Sequence, residues 1–202
     1  MHDEILTEEQ IKLVPLVSRF SGRFGLVGGT AIALQIGHRR SIDFDLFSPK
    51  PFRNITLIKH ISRFVHIDTI QRNDDGQFTI MINGVQFTFF HYPYPIEYSQ
   101  QFGKIRMPDL LTLAAMKAFA LGQRAKWKDY VDLYFILKDY HSIDAMSNKA
   151  KELFGSHYNE VLIREQVAYF GDINYSQVVK YMPGFEVSEE VIKEKLKEIS
   201  LS

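Results

Sequence analysis

The stretch GLVGGTAIALQIGHRRSIDFDLF, residues 25–47, carries the features that decide the predicted fold. Its first residues form a short apolar run that predicts a buried strand ending in the glycine pair Gly28 and Gly29. Residues 30–36 then have helical spacing, and the glycine that follows suits a helix end. In residues 41–47 apolar and polar side chains alternate, which predicts a second strand. Because that alternation has a period of two, Asp43 and Asp45 share one face of it.

The rest of the sequence predicts an α+β fold with the sheet first and the helices last. A helix is expected at 54–64 and a strand at 65–72, and Asn83 with Gly84 predicts the two-residue turn of a β-hairpin. From residue 108 the spacing of apolar residues becomes helical. The predicted helices cover residues 108–122, 126–138, 142–154, 157–169 and 188–199.

Composition excludes several classes of protein. The 24 Lys and Arg residues balance 24 Asp and Glu residues, so any affinity for nucleic acid must come from local clusters of charge. The chain has no cysteine, which excludes disulfides, a thiol nucleophile and a cysteine metal site. Residues 110–121 are apolar but too few to cross a bilayer, and the acidic start does not resemble a secretory signal. We therefore expect a cytoplasmic location without membrane partners.

The two aspartates predict a cation site. Like charges on one strand face are costly unless a cation lies between them, and Mg²⁺ (or Mn²⁺) prefers carboxylate and phosphate oxygens. Taken alone, Asp43 and Asp45 would fit an exposed edge strand, and Gly28-Gly29 would fit a simple turn. Only thirteen residues, 30–42, separate the turn from the acids, which predicts that a short helix brings them together. Amides of the turn can then hold phosphate beside the metal, and an electropositive rim is expected from His38, Arg39 and Arg40.

A second group of charges lies in the helical part. Lys117 is the only charged residue between Asp109 and Arg124, on an otherwise apolar helix. Its stem could pack while the ammonium reaches solvent, or the ammonium could neutralise a triphosphate. Asp129 and Asp132 lie three positions apart on the next helix, where they could form surface ion pairs or belong to a site.

These two groups of residues together resemble the DNA polymerase β-like nucleotidyltransferase superfamily. Within it, GGTAIALQIGHRRSIDFDLF and the later LAAMKAFALGQRAKWKDYVDLYFIL, residues 113–137, resemble AbiEii/AbiGii-type toxins of abortive-infection and type IV toxin–antitoxin systems. The resemblance implies a small mixed sheet with helices packed on it, followed by a helical C-terminal part. It divides the chain into a nucleotidyltransferase core at 1–106 and a helical region at 107–202 that packs on the core and completes the active site.

The resemblance also implies an activity and its partners. A nucleoside monophosphate would pass from a nucleoside triphosphate (ATP, GTP or CTP) to a hydroxyl acceptor, particularly the 3′ end of tRNA, and a DNA-binding antitoxin would be the protein partner. The residues implied are Asp43 and Asp45 for the metal, Gly28, Gly29, Thr30, Arg40 and Ser41 for the phosphates, and Lys117 with an acid of the next helix, Asp132 preferred and Asp129 the alternative.

The chain departs from the superfamily at the third metal-binding carboxylate. The later strand offers Thr88 in its place, and Asp68 is the nearest substitute in sequence. One metal or two therefore both remain possible. Two other readings compete with transfer: a metal-dependent phosphohydrolase and a catalytically inactive binding module of the same fold. Tyr92, Tyr94 and Tyr98 suit either stacking on bases or covering the end of a sheet.

Overall fold

A computed structural model of the 202-residue chain describes residues 1–121 and 124–202. The predicted end of the helix 108–122 at Gly122 lies outside the described residues. The chain divides into two compact units, Met1–Pro108 and Asp109–Ser202.

The first unit combines three helices with a five-stranded sheet and a small hairpin. Its helices, after a 3₁₀ turn at Asp3–Ile5, are α1 (Glu8–Ser18), α2 (Gly28–Ile36) and α3 (Asn54–Ile61). Its strands are β1 (Gly25–Val27), β2 (Asp43–Ser48), β3 (Thr69–Asp74), β4 (Gln77–Ile82), β5 (Val85–His91), β6 (Gln100–Phe102) and β7 (Ile105–Met107).

The sheet is mixed and places β2 in its interior. Its order is β1-β2-β5-β4-β3, with β6 and β7 forming a separate two-stranded hairpin. β2 pairs antiparallel with β1 and parallel with β5, whereas β5, β4 and β3 pair antiparallel. The strand that carries the two aspartates is therefore not an edge strand, so the edge-strand explanation of those acids does not apply.

Local sequence explains where the elements begin and turn. Thr7 caps α1 in a capping box with Gln10: its hydroxyl accepts from the Gln10 amide at 3.2 Å and the Gln10 side chain accepts from the Thr7 amide at 3.1 Å. Asn83 and Gly84 both have positive φ, 51° and 73°, in the turn between β4 and β5. This is the backbone that a two-residue hairpin turn requires, and the predicted hairpin is present.

Alternation along β2 sorts its side chains onto two faces. Phe44, Leu46 and Ser48 are buried, whereas Asp43, Asp45 and Phe47 are partly exposed on the opposite face. We call the second of these the acid-bearing face. On the buried face of the sheet, Leu46 pairs with Phe89 of β5, whose ring centroid lies 5.0 and 5.2 Å from those of Phe20 and Phe24.

Several local predictions for the first unit were wrong. The strand expected at 41–47 begins only at Asp43, so Ile42 lies before it and is 58% exposed. The strand expected from residue 65 begins only at Thr69. The hairpin of β6 and β7 was not predicted, because three-residue strands leave too little alternation to detect.

The second unit is helical, and polar caps set most of its boundaries. Asp109 accepts from the amide of Thr112 at 2.8 Å at the start of the first helix. Ser142, Asn159 and Ser188 cap three later helices in the same way. The helices are α4 (Leu110–Leu121), α5 (Trp127–Asp139), α6 (Ile143–Phe154), α7 (Glu160–Ala168) and α8 (Glu189–Ser200), with a 3₁₀ turn at Gly155–His157. Among the described residues, no helix is both long and apolar enough to span a bilayer.

Candidate active site

The glycine turn of the first unit lies directly against one of the two aspartates. Val27, the last residue of β1, pairs with Asp45 of β2. α2 begins at the next residue, Gly28, whose φ is +71°. A Cβ at this glycine would lie 2.5 Å from Oδ2 of Asp45, so the carboxylate occupies the space that a side chain would need. The amide-rich start of α2 and the Asp45 carboxylate are therefore immediate neighbours.

Asp43 and Asp45 project from the same face of β2, as predicted from the alternation. Their partners on β5 are Gln86 and Thr88, so a threonine stands beside Asp45 where a third carboxylate was sought. The described residues contain no group of three or more His, Cys, Asp and Glu that could hold a metal ion. The carboxylates that β2 presents on this face are those of Asp43 and Asp45.

Asp68 cannot supply the missing carboxylate. It lies just before β3, and its amide donates to the carbonyl of Met81 on β4 at 2.9 Å. Two strands, β5 and β4, separate β3 from β2, which corresponds to about 14 Å at the usual spacing of strands. The suggestion that Asp68 replaces the third acid is therefore wrong.

Thr30 and Ser41 connect the helix start to the beginning of β2. The hydroxyl of Thr30 lies 2.9 Å from that of Ser41 and also donates to the carbonyl of Asp43. Both residues are buried, at 1% and 8% exposure. Their hydroxyls fix the glycine turn relative to the first aspartate, a positioning role that the sequence pattern did not reveal.

The residues of the predicted electropositive rim occupy different places. Arg39 is 3% exposed, and a Cβ on Gly29 would lie 2.5 Å from its Nη2 atom, so this guanidinium lies against the glycine turn. His38 is also buried. Arg40 is exposed, and its Nη1 donates to the carbonyls of Glu4 and Leu6 at 3.5 and 3.3 Å. The arginine at the turn is thus Arg39, which the sequence analysis did not assign to the phosphates.

Aromatic rings continue the acid-bearing face beyond Asp45. Phe47 pairs with Phe90 of β5, and their ring centroids lie 5.2 Å apart. The Tyr92 ring lies 5.1 Å from that of Phe47, and burial raises the pKa of its hydroxyl. Both phenylalanines are partly exposed. These rings form an apolar surface on the same face of the sheet as the carboxylates.

Tyr98, in contrast, has a structural role. Its hydroxyl donates to the carbonyl of Phe47 at 3.1 Å, and its ring fills the position that a Cβ on Gly25 would take. Burial raises its pKa to about 12, so the hydroxyl remains a donor at neutral pH. Glycine at position 25 is required because this ring covers the first residue of β1.

In the second unit, Lys117 forms a buried cluster with both candidate acids. Its Nζ lies 2.8 Å from Oδ1 of Asp129 and 2.9 Å from Oδ2 of Asp132. The lysine side chain is 6% exposed and both aspartate side chains are fully buried, so the ammonium does not reach solvent. Arg124, half-exposed, has its Nε 3.8 Å from Oδ2 of Asp129. Sequence analysis sought one acid as the partner of Lys117, whereas in the structure both Asp129 and Asp132 contact its ammonium.

Comparison with solved structures defines the class of the fold. A putative nucleotidyltransferase from Helicobacter pylori matches with a TM-score of 0.58 at 17% identity, covering 96% of this chain and 94% of that one. MenT4, a nucleotidyltransferase toxin from Mycobacterium tuberculosis H37Rv, matches with a TM-score of 0.64 at 15% identity, covering 95% of this chain and 80% of that one. The mixed sheet and its helices thus form an α+β nucleotidyltransferase fold.

Sequence comparison then defines the family. Residues 16–179 match the model of the nucleotidyl transferase AbiEii toxin of type IV toxin–antitoxin systems. An uncharacterized protein of Aquifex aeolicus (strain VF5) is 31% identical over 184 residues, which is 87% of each chain. The chain belongs to the AbiEii nucleotidyl transferase toxin family, and it is a transferase of the nucleotidyl-transferring class.

Replacing Gly28 with alanine tests the proximity of the glycine turn and Asp45. The positive φ alone should cost about 1 to 2 kcal/mol of unfolding free energy, and the new Cβ must also displace the carboxylate. Gly84→Ala is the matched control, because its φ is +73° and nothing lies within 4 Å of the added atom. Urea denaturation should show a larger loss for Gly28→Ala. Equal losses would mean that the Asp45 carboxylate does not occupy this space.

Removing the charge of Lys117 tests the buried cluster. Lys117→Met leaves two buried carboxylates without their cation and should lower the unfolding free energy by about 3 to 5 kcal/mol. Changing Asp129 and Asp132 to asparagine in the same variant removes the repulsion, so it should recover much of the loss. Chemical denaturation monitored by circular dichroism measures both effects. A stability unchanged by Lys117→Met would rule out the cluster.

Proposed function

We propose that this protein transfers a nucleoside monophosphate from a Mg²⁺-bound nucleoside triphosphate to a hydroxyl of RNA, the 3′ end of tRNA in particular. It would act as the toxin of a toxin–antitoxin pair, with a DNA-binding antitoxin as partner. The observation that carries the proposal is the contact between Gly28, at the start of α2, and the carboxylate of Asp45. A helix start favours negative charge, whether carboxylate or phosphate, and a divalent cation would offset the repulsion between Asp45 and a phosphate bound beside it.

The donor set on β2 fits one divalent cation of the Mg²⁺ type. Mg²⁺ is commonly held by one or two carboxylates together with substrate phosphates and water. Asp43 and Asp45, partly exposed on one face, match that requirement. When bound, such an ion neutralises phosphate charge and orients the reacting phosphoryl group. With Thr88 beside Asp45, we propose that one well-held ion serves this site.

We propose that the glycine turn and Arg39 bind the triphosphate. The first amides of α2, from Gly28 to Thr30, have no partners within the helix and can donate to phosphate oxygens. Arg39 adds a fixed positive charge against Gly29. Arg39 also donates from Nη1 to the carbonyl of Arg40 at 2.9 Å, which holds its guanidinium in place beside the turn. We assign phosphate binding to these groups and a mainly structural role to Arg40, because its guanidinium reaches the N-terminal carbonyls of Glu4 and Leu6 and not the turn.

The cluster in α4 and α5 supports the charge changes of the reaction. We propose that Lys117 neutralises the negative charge that develops on the pyrophosphate leaving group. Asp132 then holds the ammonium. Oδ2 of Asp129 has no hydrogen-bond partner among the described residues and lies 3.8 Å from Nε of Arg124. We propose that this oxygen, the one that does not bind Lys117, accepts the proton of the attacking hydroxyl when substrate is bound.

The aromatic part of the acid-bearing face favours a nucleic-acid acceptor. Bases stack on exposed aromatic rings without regard to sequence. Phe47 lies two residues beyond Asp45 on β2 and packs against Phe90. An RNA end that stacks a base on these rings would place its terminal ribose near the carboxylates. A phosphohydrolase needs no such surface for its acceptor, because its acceptor is water.

Neutralising a metal-binding aspartate is the direct test of the function. Asp45→Asn should reduce transfer of labelled nucleotide from triphosphate to total tRNA by about 100-fold or more, because the metal loses a charged ligand. Asp68→Asn is the matched control, since it removes an exposed carboxylate near the other edge of the sheet, and it should retain full activity. Incorporation of label into RNA with Mg²⁺ is measured with each triphosphate in turn.

The same assay separates the alternatives. Phosphate release without labelled RNA would identify a hydrolase. RNA or protein binding without any turnover would identify an inactive binding module. Equal activity of the Asp45→Asn and Asp68→Asn variants would contradict the assignment of the metal site.

A pair of arginine variants tests the phosphate assignment. Arg39→Gln should raise the KM for the triphosphate by at least about tenfold, because it removes a charge-assisted hydrogen bond at the turn. Arg40→Gln should leave KM within about twofold, because its guanidinium binds main-chain carbonyls of the N-terminal segment. Steady-state kinetics with saturating RNA measures both. The reverse order of effects would restore Arg40 as the phosphate ligand.

A further inference from the structure

Six exposed cations of the first unit surround α3 and the end of α1. No acidic residue falls within 19–42 or 46–67, so the two segments that carry these cations contain only positive charges. We call this set the basic surface. It consists of Arg19, Arg23, Lys50, Arg53, Lys59 and Arg63.

Contacts between the two segments make these cations one continuous surface. The Arg23 guanidinium donates to the carbonyl of Pro51, which lies between Lys50 and Arg53. At the other end, Cζ of Arg19 lies 3.8 Å from the centroid of the Phe64 ring, next to Arg63. Beneath these contacts, the rings of Phe24 and Phe52 pack at 5.3 Å, and those of Phe20 and His60 at the same distance.

The needs of the fold account for few of these charges. Within residues 1–121 and 124–202, none of the six cations forms an ion pair with a carboxylate. Arg19 and Arg23 make the packing contacts just described, and Lys59 favours the C-terminal end of α3. Lys50, Arg53 and Arg63 have no such role. Asp74 borders the surface, since Asn54 donates to its carbonyl, but its carboxylate is paired with Arg72. Lys50, Arg53 and Arg63 thus add exposed positive charge for which the fold gives no reason.

We propose that the basic surface binds the sugar-phosphate backbone of the RNA acceptor, away from the reacting end. This inference rests on the proposed function, because it extends the same substrate beyond the catalytic residues. Four of the six cations are arginines, whose planar guanidinium matches phosphate oxygens. The cations are spread over two segments and do not line a pocket. Such an arrangement suits a ligand with regularly repeated negative charges, such as a phosphate backbone, that is bound without regard to base sequence.

RNA fits this surface better than a membrane does. Phe64 is 45% exposed, but a guanidinium covers one face of its ring. An aromatic side chain covered by arginine is poorly suited to insert into a bilayer, because the guanidinium charge would have to enter the bilayer with the ring. The same pair offers an unpaired base a stacking partner.

The test reverses three charges that have no packing role. Lys50→Glu, Arg53→Glu and Arg63→Glu combined in one variant spare the stacked Arg19, the bonded Arg23 and the helix-terminal Lys59. The control reverses Lys104, Lys151 and Lys180, which are exposed elsewhere and have the same total charge. Fluorescence anisotropy with unfractionated tRNA, repeated over a range of salt concentrations, gives the affinity and its salt dependence.

The basic-surface variant should bind tRNA at least about tenfold more weakly than the control at moderate salt. Its slope of log affinity against log salt should fall by about 2 to 3, one for each phosphate that the variant no longer neutralises. Transfer to an RNA trinucleotide with a free 3′ hydroxyl should be reduced much less than transfer to tRNA, because so short an acceptor offers few phosphates to the basic surface. Circular dichroism melting verifies that both variants are folded.

Equal affinities and slopes for the two variants would overturn the proposal. It would also be overturned if the basic-surface variant kept its tRNA affinity but no longer bound vesicles containing phosphatidylserine, which would make the surface a membrane-binding one. Failure of the proposed function gives a different result, namely no nucleotide transfer by the unmodified protein. The tRNA affinities would still decide the role of the basic surface in that case.

Discussion

The pairing of Val27 with Asp45 is the constraint on which the candidate site depends. β1 ends at Val27 and α2 begins at the next residue, so the register of this short antiparallel pair places the helix start beside the second aspartate of β2. Thr30 reinforces the arrangement through its bonds to Ser41 and to the carbonyl of Asp43. A shift of one residue in β2 would turn both carboxylates into the core, where the phenylalanines now pack.

The sequence predicted those parts of the molecule whose signal is local. The period of two in residues 43–47 gave the common face of the acids, and Asn83-Gly84 gave the hairpin turn, because each depends on adjacent residues. The order of the strands could not be predicted from the sequence, so only the structure shows that Asp68 lies far from β2. The choice of Arg39 over Arg40 likewise depends on contacts with Gly29 and with the N-terminal segment, which no spacing rule encodes.

Each unit contains one group of neighbouring carboxylates, and the two groups differ in how their negative charge is balanced. In the first, two partly exposed aspartates share a face beside the start of a helix, which suits a cation that arrives with substrate. In the second, the buried Lys117 contacts Asp129 and Asp132 at 2.8 and 2.9 Å. The first arrangement suits a group that binds and leaves, and the second suits one that must keep its place through every turnover.

The close approach of Gly28 to Asp45 also limits how this lineage can drift. Any side chain at position 28 must displace the carboxylate, so position 28 cannot change while Asp45 is retained. Relatives that abandon catalysis are released from that restriction. In them Asp45 should diversify, whereas Gly28 should persist like the hairpin Gly84, because both glycines have a positive φ that other residues rarely adopt.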